Sequence, residues 1–227
     1  MIRHPEYTRA RLAQTSERLR ALVYARTRAP EELLVAGPVD RIGRDEAQEL
    51  EYRPAELGER FGPLWATYWF RATGSVPPEW AGRRVDLLWD SASEATLWLD
   101  GLPAQGLNEH HHDAALATQA TAGEQLFFEV ELACNGLFGR LLSELNRFCN
   151  VWPGEEAPEI LAALYERRNA TTAHELAAIG HAHLDTAWLW PLAETYRKAV
   201  RTFTTQAQYL RAYPEYRFAC PQAQQYA

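Results

Sequence analysis

The stretch LAAIGHAHLDTAWLWP, residues 176–191, indicates the fold and the candidate site of the carboxyl-terminal part of the chain. Its first four residues are an apolar run that predicts a buried strand. Alternate residues of a strand share a face, so His181, His183 and Asp185 point the same way, each about 6.6 Å from the next. Imidazole and carboxylate groups so placed can converge on one divalent ion, with bonds of about 2.0–2.2 Å for zinc. The stretch predicts a metal site at a strand end, although polar strand-end residues held only by hydrogen bonds would show the same spacing.

The residues after this stretch predict a helix and then a second strand. Residues 195–212 place apolar side chains on one helical face at spacings of four, three, four and three: Tyr196, Val200, Phe203, Ala207 and Leu210. Pro214 ends the helix, and residues 216–220 have strand character. A strand, a covering helix and a parallel strand form a right-handed crossover, the building unit of α/β barrels.

We expect this crossover to be the first βαβ unit of an incomplete α/β barrel. It occupies residues 173–227, whereas a whole barrel takes about two hundred residues or more. The working groups of such barrels lie at the carboxyl ends of the strands, which is where His183, Asp185 and Gln222 fall.

The middle of the chain, residues 61–135, has β character. Short runs rich in β-branched and aromatic residues alternate with turn signals, and the runs are residues 65–73, 84–89, 95–99 and 126–132. Strands at this spacing predict a β-sandwich that is jelly-roll-like. Five of the eight tryptophans lie in this region: Trp65, Trp69, Trp80, Trp89 and Trp98. They could form a platform on which a sugar stacks. We favour core positions, because large aromatic side chains supply much of the buried area of a small sandwich.

Helical patterns flank the β region. Residues 5–28 predict an amino-terminal helix, with an irregular lead-in up to residue 58. Two further helical stripes predict a helical connector after the sandwich. The expected division is residues 1–58 for the helix and lead-in, 59–139 for the sandwich, 140–172 for the connector and 173–227 for the start of the barrel.

Composition narrows the class of protein. The 227 residues carry a net charge of −7 without long runs of one sign, which argues against nucleic acid as a partner. No apolar signal core or membrane-spanning stretch is present, so we expect a cytoplasmic protein without a membrane partner. The cysteines Cys134, Cys149 and Cys220 are predicted to be reduced, and the tract 110–112, His-His-His, to be a surface loop.

Several strings of this sequence resemble the α-mannosidases of glycoside hydrolase family 38, most closely the cytosolic and bacterial branch. The strings are HAHLDTAWLWPLAETYRK at 181–198, QAQQY at 222–226, FGPLW at 61–65, WDS at 89–91 and ACNGLFG at 133–139. By this resemblance the β-sandwich is an accessory domain and residues 173–227 begin the catalytic domain.

The resemblance also implies site residues. His183 and Asp185 correspond to two ligands of a zinc ion, or of another divalent ion such as cobalt. Trp188 corresponds to a residue that lies against the mannose ring, and His181 lies beside the metal without binding it. The nucleophile, the acid/base carboxylate and the remaining ligands come from later strands in the family, so no catalytic residue is expected in this chain.

The implied activity is retaining, zinc-dependent hydrolysis of terminal α-linked mannose in mannose-containing oligosaccharides. We expect the chain to be an amino-terminal fragment of such an enzyme and to be inactive alone. The full-length protein could form a homo-oligomer.

Two alternatives stay open. A metal-dependent amidohydrolase also begins an α/β barrel with His-x-His, in which case His181 and His183 would both be ligands. The string Trp188-Leu189-Trp190-Pro191 favours the mannosidase. A polypeptide that ends at residue 227 would instead be a non-catalytic carbohydrate-binding module or a remnant.

Overall fold

A computed structural model describes residues 5–24, 26–135, 143–144, 150–151, 177–186, 188 and 190–220. The helices are α1 (Pro5–Val23), α2 (Arg44–Gln48) and α3 (Leu192–Ala212). The strands are β1 (Glu32–Val39), β2 (Arg53–Pro54), β3 (Arg60–Phe61), β4 (Thr67–Ser75), β5 (Val85–Leu88), β6 (Glu94–Leu99), β7 (Leu102–Leu107), β8 (Asp113–Ala117), β9 (Gln125–Ala133), β10 (Ser143–Glu144), β11 (Asn150–Val151), β12 (Gly180–His181) and β13 (Phe218–Ala219).

The predicted β-sandwich is confirmed. Six antiparallel strands form one sheet in the order β2-β1-β4-β9-β6-β7, and β11-β5-β8 form a second. Alternate residues of β4 and β9 point between the sheets, where they meet residues of β5 and β8 in one apolar core. Trp69, Trp80 and Trp89 are buried, as the sequence predicts, whereas Trp65 and Trp98 are half-buried.

The other face of the six-stranded sheet carries acids. Glu131 lies opposite Trp69 of β4 and Thr96 of β6, and Glu129 lies opposite Arg71 and Trp98. Alternation of Glu129 and Glu131 with apolar residues is typical of a solvated face. Here both glutamates are buried, because α2 and α3 cover this side of the sheet.

The predicted strand–helix–parallel strand unit is also confirmed. β12 and β13 pair in parallel, with Gly180 opposite Phe218 and His181 opposite Ala219, and α3 lies between them in the chain. The first strand begins at Gly180, later than the predicted run 176–179, and Ile179 is exposed. His181 is therefore the last residue of this strand, and His183 and Asp185 follow it directly.

Several local predictions need correction. The amino-terminal helix ends at Val23 and not at residue 28, and the stretch 32–39, predicted to be irregular, forms strand β1 inside the large sheet. The connector helices expected over 140–172 lie mostly outside the described residues. Within that range, Ser143–Glu144 and Asn150–Val151 form short strands instead of helix. The division at residues 58, 139 and 172 stays a prediction.

Among the helices that the structure describes, none combines the length and the apolar character needed to cross a membrane.

Candidate metal and sugar site

The chain leaves β12 at His181 and brings two predicted site residues together. His183 Nε2 lies 3.1 Å from Asp185 Oδ1, and both side chains are open to solvent. A ligand or an ion can therefore reach this pair without displacing protein atoms. His181 does not join them, because no group of three His, Cys, Asp or Glu side chains converges anywhere in the described part of the chain.

The separation of the two side chains can be compared with that of two ligands on one zinc ion. Two ligand atoms on one tetrahedral zinc lie about 3.3–3.6 Å apart when each bond is about 2.0–2.2 Å long. The observed 3.1 Å separation needs only a small adjustment to fit. Imidazole nitrogen and carboxylate oxygen are both common zinc ligands, so His183 and Asp185 fit a divalent ion as two of its ligands.

Trp188, three residues after Asp185 in the chain, presents a large exposed ring. It is 57% exposed, and its ring centroid lies 5.7 Å from that of Trp190 in an edge-to-face arrangement. An exposed indole offers a flat apolar face to the flat side of a sugar.

Trp190 and Thr195 connect this region to the start of α3. Trp190 Nε1 donates a hydrogen bond of 3.2 Å to Thr195 Oγ1, which lies 3.5 Å from the backbone oxygen of Asp185. Pro191 precedes the first turn of the helix, where a fixed φ is tolerated, and Glu194 stands in that turn, where a carboxylate suits the helix dipole.

A buried charged contact fixes α3 on the β-sandwich. Arg197 is 1% exposed, with Nε 3.1 Å from Glu131 Oε1 and Nη1 3.1 Å from Glu194 Oε1, and its Nη2 donates to Thr67 Oγ1. Burial raises the pKa of Glu131, although Arg197 opposes it, and burial lowers the pKa of Arg197. Each charge therefore depends on its partner, since neither is solvated.

A second charged contact lies further along the helix. Glu94 Oε2 accepts hydrogen bonds from Lys198 Nζ at 2.6 Å, from Asn135 Nδ2 at 2.6 Å and from Arg201. Burial alone would raise the pKa of Glu94, but Arg201 and Lys198 outweigh it and hold the pKa below the ordinary 4.5. Lys198 Nζ also lies 4.5 Å from the ring centroid of Trp190. A cavity of about 330 Å³ is lined by all four of these side chains, Glu94, Lys198, Arg201 and Trp190.

Sequence reasoning missed these charged contacts. It identified the apolar stripe of α3, of which Phe203 meets Phe218 of β13 while Tyr196 and Leu210 stay exposed. A polar stripe of α3 lies on the side of the sandwich: Glu194, Arg197, Arg201, Thr205 and Gln208. The last four contact the sandwich, and Glu194 pairs with Arg197. Spacings of three, four, four and three along this polar stripe are the signal that reveals a second buried face.

The histidine tract is a surface turn, as predicted. Asn108 Oδ1 accepts hydrogen bonds from the backbone N–H groups of His110 and His111, and the His110 side chain is exposed. Gln222, the remaining strand-end candidate, lies outside the described residues.

Two family descriptions match this chain. Residues 32–153 match "Alpha-mannosidase, jelly roll domain", and residues 173–227 match "Glycosyl hydrolases family 38 N-terminal domain". The chain belongs to the family 38 α-mannosidases. This assignment favours the mannosidase over the amidohydrolase alternative, and the β-sandwich is the jelly roll domain of the family.

Relatives of this family 38 α-mannosidase chain carry the same name. Alpha-mannosidase 2C1 of Homo sapiens is 30% identical over 251 residues, which cover 82% of this chain and 24% of that protein. Alpha-mannosidase G of Dictyostelium discoideum is 26% identical over 259 residues, covering 85% of this chain and 24% of that protein. The chain thus spans about a quarter of the length of the curated relatives it matches. Among solved structures, a β-glucuronidase of an uncultured Clostridium species has a TM-score of 0.42 and 13% identity, covering 57% of this chain and 29% of that chain.

Proposed function

We propose that this chain is the leading part of a retaining, zinc-dependent α-mannosidase that removes terminal α-linked mannose from oligosaccharides. The observation that carries the proposal is the His183–Asp185 pair directly after β12, with the exposed ring of Trp188 three residues further along the chain. These residues lie in the part that matches the family 38 domain, and the relatives are named α-mannosidases.

In this proposal each residue has a separate task. His183, as neutral imidazole, and Asp185, as carboxylate, would hold a zinc ion, or a cobalt ion, together with ligands from a later part of the polypeptide. Such an ion would supply positive charge for binding the hydroxyls of the sugar. Trp188 packs its ring against the apolar face of the sugar and so orients it.

The bond-breaking groups lie elsewhere in this proposal. A retaining glycosidase needs two carboxylates about 5–5.5 Å apart, one to attack the anomeric carbon and one to move the proton. In our proposal the described residues of this chain bind the ion and the sugar, and the two catalytic carboxylates come from a later part of the polypeptide. The 227-residue chain alone should therefore be inactive. A cytoplasmic location and a homo-oligomeric full-length protein remain predictions.

The test uses the polypeptide in which this chain continues through a complete family 38 domain. We expect it to release mannose from 4-nitrophenyl α-mannoside with retained anomeric configuration, followed by proton NMR, and to lose activity on chelation. His183→Ala and Asp185→Ala should each lower kcat/KM by more than about 100-fold, beyond the effect of losing an outer-shell partner. His181→Ala is the matched control and should keep the metal.

Three outcomes would contradict the proposal. Full activity after complete metal removal would exclude the zinc site. Loss of metal in His181→Ala but not in Asp185→Ala would favour the amidohydrolase, in which His181 and His183 are both ligands. Mannose binding without any hydrolysis would leave a carbohydrate-binding module.

A further inference from the structure

We propose that Glu94 of the jelly roll domain is a positioning residue for the metal and sugar segment, acting through Lys198 and Trp190. This proposal rests on the proposed function, since it assigns a support to the same site. Glu94 touches neither His183 nor Asp185, and the contacts below connect it to Asp185 and Trp188.

First, Glu94 is held in place by its neighbours in the jelly roll domain. It begins β6, which pairs with the central strand β9. The Glu94 backbone N–H donates to Asn135 Oδ1 at 3.1 Å, and Asn135 Nδ2 donates back to Glu94 Oε2 at 2.6 Å. Both the backbone and the carboxylate of Glu94 are thereby bound to Asn135, two residues after β9, which restricts the carboxylate.

The second step is the placement of Lys198 by this carboxylate. The Lys198 ammonium lies between Glu94 Oε2 at 2.6 Å and the ring of Trp190 at 4.5 Å. Arg201 binds the same oxygen, so one anion holds two neighbouring cations. Without the negative charge, Lys198 and Arg201 would repel each other, and the long Lys198 side chain would turn towards water and leave the indole.

The third step leads from Trp190 in two directions. Its ring meets the Trp188 ring edge-to-face, and its Nε1–H reaches Asp185 through the hydroxyl of Thr195. A displaced Trp190 would therefore shift both the sugar platform and the backbone that carries a metal ligand. Sub-ångström errors in ligand placement are costly at such sites, so the jelly roll domain sets the precision of the site.

The experiment compares three variants of the complete polypeptide described above. Glu94→Gln removes the charge and keeps the shape, and Lys198→Met removes the next contact while leaving Glu94 paired with Arg201. Glu51→Gln, at an exposed acid of the same domain, is the control. Each variant is labelled with 5-fluorotryptophan, and the Trp188, Trp190 and Trp89 signals are assigned by fluorine NMR from Trp→Phe variants.

We expect the Trp188 and Trp190 signals to shift in Glu94→Gln and in Lys198→Met, while the signal of core Trp89 stays in place. The cobalt dissociation constant should rise in both variants, by less than the about tenfold to 100-fold that follows loss of a partner bonded directly to a metal ligand. KM for the mannoside should rise more than kcat falls. The double variant should be no worse than either single variant, because both break one series of contacts.

Unchanged Trp188 and Trp190 signals in folded Glu94→Gln would overturn the proposal. So would a double variant whose loss of cobalt affinity is the product of the losses in the two single variants. The fluorine signals do not depend on mannosidase activity. If the wild-type polypeptide proves inactive, the proposed function fails, while the contact between Glu94 and Trp190 is still tested by these signals.

Discussion

The jelly roll core and the segment of residues 177–220 bury opposite kinds of side chain. In the sandwich, fully buried residues such as Leu87, Leu97 and Val130 are apolar. In the described part of 177–220, the four buried residues are all polar: Glu194, Thr195, Arg197 and Arg201. Large apolar residues of the same segment, such as Tyr196 and Leu210, are at least half exposed.

The two regions are therefore stabilised by different interactions, apolar burial in the sandwich and paired charges between α3 and the sandwich. Burial of apolar area stabilises the sandwich without fixing direction, whereas paired buried charges tolerate little displacement. The jelly roll therefore folds on its own core and fixes α3 at a defined place. The partly exposed apolar stripe of α3 fits our proposal that the segment begins an α/β barrel, because barrel helices pack such a stripe on the strands.

The largest expected effect breaks the charged contact. Arg197→Met leaves Glu131 and Glu194 buried without their cation, which should weaken the attachment of α3 by about 3–5 kcal/mol. Native-state hydrogen exchange should show faster exchange in α3 and little change in β9. Arg211→Met, at an exposed arginine of the same helix, is the control. Equal losses of protection in α3 and β9 would contradict the separation of the two regions.

A second prediction applies one substitution to both regions. Leu97, in the sandwich core, is 0% exposed and Leu210, on α3, is 50% exposed. Leu97→Ala should lower the free energy of unfolding of the sandwich by about 2–5 kcal/mol. Leu210→Ala should change it by less than about 0.5 kcal/mol. Urea unfolding of both variants of the 227-residue chain gives the values. Similar losses would show that α3 belongs to the apolar core of this chain after all.

A third prediction concerns the close approach of α3 to β7. Gly106 donates its N–H to Thr205 Oγ1, and a methyl group there would lie 2.8 Å from Arg201 Cβ. Gly106→Ala should push the helix outwards and cost about 1–3 kcal/mol. Gly74→Ala, whose added carbon would meet no atom closer than 3.9 Å, is the matched strand control. Equal unfolding temperatures of Gly106→Ala and Gly74→Ala would contradict the close approach of α3 to β7.

The smallest effect is the acid sensitivity of the Glu94 contact. Its pKa is below 4.5 in the folded protein, so its stabilisation is present above pH 4.5 and is lost as the pH falls through the folded value. Glu131 has a raised pKa and acts with the opposite sign, gaining stability as the pH falls. The Trp190 fluorine signal, which follows α3 attachment, should titrate below pH 4.5 in wild type and in Glu51→Gln. A similar titration in Glu94→Gln would assign it to another group.

Local patterns were sufficient to predict much of the sandwich. β4, β5, β6 and β9 are continuous runs of strand-forming residues, so their prediction needed no partner. β1 was missed because Gly37-Pro38 interrupts it, and β7 because it contains Pro103 and Gly106, residues that normally weaken a strand.

The candidate site divides in the same way. The His183–Asp185 pair follows from a two-residue spacing that any extended chain provides. The support from Glu94 could not be predicted, because its partner Lys198 is 104 residues away and the pairing depends on how α3 lies on the sheet. Information of that kind is in the tertiary contacts and not in a local pattern.

The most direct test of the central claim is the location of the metal in crystals of the complete polypeptide, by anomalous scattering at the zinc edge. We predict one peak within about 2.0–2.2 Å of His183 Nε2 and of an Asp185 carboxylate oxygen. A zinc peak at His181, or one remote from both predicted ligands, would contradict the account.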